Sequence, residues 1–182
     1  MVRLYLVRHA RPAGTFTEAR DPGLDATGLA QAEALAARLG PLGPLPIVTS
    51  PLRRTRETAA PLELRWRRAA RVEPAVAEIP SWEDDLARRG EWLRGVMVGR
   101  WSELSLDLRA WRAAVVDALV TVRETSVVVT HYVAINVALG RATGDDRVLC
   151  FAPDHCSITI VDVDNGVLAL VERGGEAATL VL

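Results

Sequence analysis

Among its 182 residues the chain has two cysteines, three histidines and no lysine, and its net charge is -1. Cys150 and Cys156 are six apart, form no CxxC, and have no His pair at zinc-ligand spacing, so a disulfide framework and a structural zinc site are both excluded. Two such residues read as free thiols in a reducing compartment. The near-zero net charge argues against a nucleic-acid footprint or a membrane surface, and any basic site must be local. No apolar run reaches 18 residues, and the N-terminal "VRLYLV" lacks the long apolar region and small-residue cleavage site of a signal peptide. The expectation is a cytoplasmic protein with neither nucleic acid nor membrane as partner. All 22 basic residues are Arg. A genomic bias explains that more simply than a demand for forked phosphate contacts, though Arg does make those contacts. Repeats and low-complexity tracts are absent too, and the length suits one domain with its own core.

What is present is a set of short branched runs bounded by turn formers. "RLYLV" (3–7), "PIVTS" (46–50), "SVVVT" (126–130), "SITIVDV" (157–163) and "VLALVE" (167–172) read as strands. Between the first two, Leu29, Ala32, Leu35, Ala36 and Leu39 recur at helical spacing, with Thr27 expected as the N-cap and Gly40 at the C-terminal cap. A second helix is expected after Pro51 with a break near Pro61, a third in "ELSLDLRAWRAAVVDALVTVRE", and a fourth in "VAINVALGRA". Asn165-Gly166 suits a tight turn between two antiparallel edge strands. That hairpin either pairs across a homodimer edge or is covered internally.

Strands alternating with helices predict an α/β fold: a three-layer α/β/α sandwich with a mainly parallel sheet and an antiparallel edge hairpin. Residues 1–182 then form a single domain, with a lid-like insertion around 80–103. That insertion holds Trp82, Trp92 and Trp101, which either line a pocket or pack an irregular excursion onto the core. Ligands of such sheets bind at the carboxyl ends of strands. Arg8-His9, Ser50 through Arg54, and Thr130-His131 each follow a predicted strand.

Four motifs in order give those strand ends a chemistry. "LVRHA", "GLDATGLAQAEALA", "TSPLRRTRETA" and "VVVTHYV" together resemble the histidine phosphatase superfamily, related to cofactor-dependent phosphoglycerate mutase, over nearly the whole chain. The resemblance implies that His9 is the nucleophile, attacking phosphorus as a neutral imidazole and carrying the phosphoryl group until water removes it. Its ring is most simply oriented by an N–H donated to a backbone carbonyl. Arg8 and Arg54 would fork onto the phosphoryl oxygens, and His131 would donate to them, best as the imidazolium. Counting from Ser50 in the family pattern selects Arg54 over Arg53 and Arg56.

The family places an acidic leaving-group donor after its third strand. "VEPAVAEIP" offers Glu73 and Glu78, and Glu78 matches better, although "PSWEDD" replaces the usual continuation. A carboxyl partly buried near phosphate should have a raised pKa suited to holding a proton. Arg11 departs from the family pattern: it either extends the positive pocket toward a second anionic group or pairs with an acidic side chain. Tyr132 either narrows the pocket or packs in the core. Asn136, one turn into the helix behind His131, either reaches the site or is a helix-surface polar residue, and His155 reads as a loop residue outside catalysis.

The resemblance implies a phosphomonoester hydrolase acting on a small phosphate ester, needing no cofactor or metal. Competing readings are a mutase-type isomerase, a non-catalytic phosphate-binding or interaction protein, and a phosphoprotein phosphatase. Specificity is expected to reside in the lid and in residues 11–20, where the family pattern is least informative.

Overall fold

A computed structural model describes residues 1–15 and 17–177. Its centre is a six-stranded sheet of β1 (Val2–Arg8), β2 (Ile47–Thr49), β3 (Arg71–Val72), β4 (Ser126–Thr130), β5 (Ile158–Asp164) and β6 (Val167–Glu172), in the order β3-β2-β4-β1-β5-β6. The first four in that order run parallel, β5 runs antiparallel to β1, and β6 pairs antiparallel with β5. Asn165 and Gly166 both have positive φ, 49° and 78°, as a primed two-residue turn requires.

Strand periodicity sorts the core into two halves. Leu4 and Leu6 of β1 face one side with Val48 and Val128, while Val7 faces the other with Ile47, Val127 and Val129. α1 (Ala26–Leu39) and α2 (Arg53–Trp66) cover the second face through Ala32, Leu35, Leu39, Ala59 and Leu62. α4 (Leu106–Val120) and α5 (Tyr132–Thr143) cover the first. α5 is buried at every position from Tyr132 to Gly140, because its sequence is apolar nearly all round. The result is the expected three-layer sandwich. Among the described residues no helix is long and apolar enough to cross a membrane.

Several local expectations are corrected. Asp25, not Thr27, is the N-cap of α1, its carboxylate accepting from the Gly28 N–H at 2.7 Å. α2 starts at Arg53 rather than beside Pro51, and it passes through Pro61 unbroken. Residues 80–103 are more regular than expected: Asp85 caps α3 (Leu86–Met97), and a 3-10 turn follows at Trp101–Glu103. β3, only two residues long, carries no alternation that would announce a strand.

Candidate active site

The carboxyl ends of β1, β2 and β4 carry the predicted residues to one place. His9 immediately follows β1, with its N–H donating to the Thr130 carbonyl at the end of β4 (3.0 Å). His131 is the N-cap residue of α5, and its ring centroid lies 5.2 Å from that of His9. Ser50 follows β2, and Arg54 sits in the first turn of α2. Arg8, His9, Arg54 and His131 are all nearly inaccessible to solvent, at 5%, 5%, 4% and 0% exposure, which is costly for such groups unless something polar is meant to meet them.

His9 Nδ1 lies 2.8 Å from the carbonyl oxygen of Ala10. A carbonyl only accepts, so Nδ1 carries the proton and Nε2 carries the lone pair. Arg54 Nε donates toward that Nε2 at 3.3 Å. Burial holds the His9 pKa well below its ordinary value, and competition for a proton with the adjacent His131 and the charges of Arg54 and Arg8 add to the effect. The ring is therefore neutral near pH 7. The backbone beside it is fixed as well, since the Ala10 N–H donates to Thr58 Oγ1 of α2 (2.9 Å).

His131 is held by a residue that motif reading quoted but gave no task. Ser50 Oγ lies 2.7 Å from His131 Nε2 and 2.8 Å from Thr55 Oγ1. His131 Nδ1 is buried without a hydrogen-bond partner. Burial, then Arg54 and Arg8, push its pKa well down, so near pH 7 the ring is neutral beside those two cations. Arg8 Nη1 donates to the Pro153 carbonyl (2.8 Å), and its guanidinium lies 4.8 Å from the Tyr132 ring centroid.

Glu78 reaches the same cleft, and Glu73 does not. Glu73 caps the turn Pro74–Val76 and pairs with Arg71. The buried Glu78 carboxyl accepts from the backbone N–H groups of Ile79 (3.0 Å) and Val133 (3.2 Å). Burial raises its pKa, opposed by those two amides, Arg54 and Arg8. Arg11 lines the cleft, but its Nε is bonded to the Asp25 carboxylate at 2.7 Å, the acid-paired alternative of the two expected. Arg53 pairs with Glu57 on the exposed face of α2. Asn136 lies outside the cleft; fully buried, it accepts from the Cys150 and Phe151 N–H groups and so pins that loop to α5.

The cleft encloses about 480 Å³. Residues 11–15 and 18–20 line it, α3 contributes Leu93 and Met97, and Tyr132 both borders it and packs in the core; Phe16 lies outside the described residues. None of the three tryptophans of 80–103 lines it. Trp82 is exposed, and Trp101 is buried beside Trp111. His155, by contrast, does line the cleft, with its ring 5.8 Å from His9.

Comparison with known proteins agrees with this arrangement. Over 133 residues, 63% of this chain, the sequence is 32% identical to the Mycobacterium tuberculosis protein named Uncharacterized protein Rv0525, and the match spans 64% of that relative. The fold superposes with a TM-score of 0.72 on a mycobacterial glucosyl-3-phosphoglycerate phosphatase solved with VO3 (20% identity, 98% of this chain and 100% of that one). It superposes with a TM-score of 0.74 on Entamoeba histolytica phosphoserine phosphatase solved with 3-phosphoglyceric acid (20% identity, all of both chains). Residues 4–174 match the model of the histidine phosphatase superfamily, branch 1, and the chain belongs to that family.

Proposed function

We propose that this protein hydrolyses phosphomonoesters of small metabolites through a phosphohistidine on His9. The observation that carries the reading is the His9 Nδ1 contact to the Ala10 carbonyl at 2.8 Å, which leaves a neutral ring with its lone pair on Nε2. Phosphate esters are among the slowest bonds to hydrolyse, so a nucleophile that divides the reaction and cations that take up oxygen charge are the two requirements. Here Nε2 attacks phosphorus in line with the ester oxygen, and the P–O bond to that oxygen breaks. The leaving oxygen takes the proton of the Glu78 carboxyl. Water then attacks the phosphohistidine, its proton passes to Glu78, and inorganic phosphate departs.

Arg54 exchanges its bond to Nε2 for a phosphoryl oxygen, and Arg8 takes another. His131 offers Nδ1, the ring nitrogen that Ser50 leaves open. Two negative charges arriving beside His131 favour its imidazolium form. A cleft of about 480 Å³ is within the size range of small-molecule sites, which supports a metabolite over a phosphoprotein as substrate.

The test is hydrolysis of an aryl phosphate with a chelator present. Turnover should persist, fall by at least about 10³ in His9→Ala, and leave acid-labile, base-stable phosphate on the wild-type chain after an alkaline quench. Glu78→Gln should lower turnover by about 10²–10⁴, least for substrates with good leaving groups. Full activity in His9→Ala would overturn the reading.

A further inference from the structure

We propose that His155 is a further contact for the phosphoryl group, one that flanks the nucleophile on the side away from β4; the inference rests on the hydrolase reading above. Its placement follows from the one antiparallel partner of β1. The pair Val7 and Ile158 continues into two backbone bonds, Arg8 N–H to the Ser157 carbonyl (3.3 Å) and Cys156 N–H to the Arg8 carbonyl (3.0 Å). The residue just before that pairing ends beside His9. Three further contacts fix the loop: Arg8 Nη1 to the Pro153 carbonyl, Asp154 N–H to the Gly175 carbonyl (2.8 Å), and Ser157 N–H to the Asp154 carbonyl (3.1 Å).

Cys156 holds φ at +56°, in the left-handed region that L residues rarely adopt. The fold keeps that conformation at the residue next to His155. The His155 ring lies 5.8 Å from the His9 ring, against 5.2 Å for His131, so two imidazoles border the nucleophile at similar range. His155 Nε2 is buried with no hydrogen-bond partner, as is His131 Nδ1. A ligand that supplies acceptor oxygens satisfies both, and a phosphoryl group has three.

The charged groups around His155 account for its behaviour on binding. Burial and Arg8 push its pKa down to about 4, helped by Arg11, while Asp154 and Asp25 oppose them. His9 faces it as a neutral ring. Near pH 7 His155 is thus neutral, and a bound phosphate dianion reverses the local potential. His155 Nε2–H then donates to a phosphoryl oxygen, and the ring binds a proton more readily.

The three histidines of the chain make ¹⁵N-histidine NMR with inorganic phosphate a direct test. Saturating phosphate should raise the titration midpoint of His155 from about 4 by about 1 to 3 pH units. His155→Ala should weaken phosphate binding about tenfold, and His155→Asn, which keeps an N–H donor, should recover part of the loss. If phosphate moves the His9 resonances while the His155 midpoint and the affinity of His155→Ala stay unchanged, the contact is overturned and the hydrolase reading stands. Should phosphate move His155 in a protein that never turns over an ester, the contact stands and the hydrolase reading falls. Phosphate that fails to bind wild type overturns both.

Discussion

At His131 a single neighbour decides which atom of the side chain is left for a ligand. Ser50 occupies His131 Nε2, so Nδ1 is the nitrogen that remains. Ser50→Ala removes that constraint without touching the nucleophile. It should lower kcat of aryl phosphate hydrolysis about tenfold, with KM changed less than twofold, the cost of about one hydrogen bond; steady-state kinetics beside a circular dichroism spectrum of the folded variant would check it. The pair Arg8-His9, Arg54, His131 and Glu78 was legible in the sequence because each follows a recognisable strand or motif. Ser50 was quoted within a motif but had no visible partner, since its bond to His131 spans 81 residues. His155 was set aside for a geometric reason. The rule that sites gather at carboxyl ends of strands holds for parallel strands; at an antiparallel strand the residues that reach the same edge are those before its start.

At the level of elements, the first turn of α1 shapes the cleft through a close backbone approach. A Cβ on Gly28 would lie 2.1 Å from the Arg11 carbonyl oxygen, a clash that no side-chain rotation relieves. Gly28→Ala should therefore displace the 10–13 backbone beside His9, lowering both the melting temperature and kcat/KM, whereas Ala30→Gly on the exposed side of the same helix should lower only the melting temperature. Differential scanning fluorimetry and the aryl phosphate assay separate the two. Helix existence was readable from apolar spacing, and its ends were not. Asp25 won the cap over Thr27 because its carboxylate reaches the Gly28 N–H and also pairs with Arg11. Pro61 did not break α2, because tertiary packing of Ala59 and Leu62 on the sheet outweighs one missing backbone donor.

For the whole molecule, burying three neutral histidines links stability to pH. The unfolded chain takes up protons near the ordinary histidine value of 6.5, whereas folded His9 and His131 resist protonation and His155 does so until about 4. Unfolding therefore binds protons below about pH 6.5, and stability falls as pH drops from there toward 4. Glu78 acts in the opposite direction, because its raised pKa makes the folded state the one that binds the proton. The melting temperature should be lower at pH 5 than at pH 7, and Glu78→Gln should steepen that fall; calorimetry across this range reads both. The same burial ties the sheet to the site, because β1, β2 and β4 are hydrogen-bonded neighbours and a shift in one moves the others. One arrangement is exempt from that interdependence. The acceptor that fixes the proton on His9 is the carbonyl of the next residue in the chain, so the tautomer is specified by a dipeptide. Drift in the surrounding loops can reshape what enters the cleft, and lineages can trade one substrate for another, while the nucleophile carries its own tuning along with it.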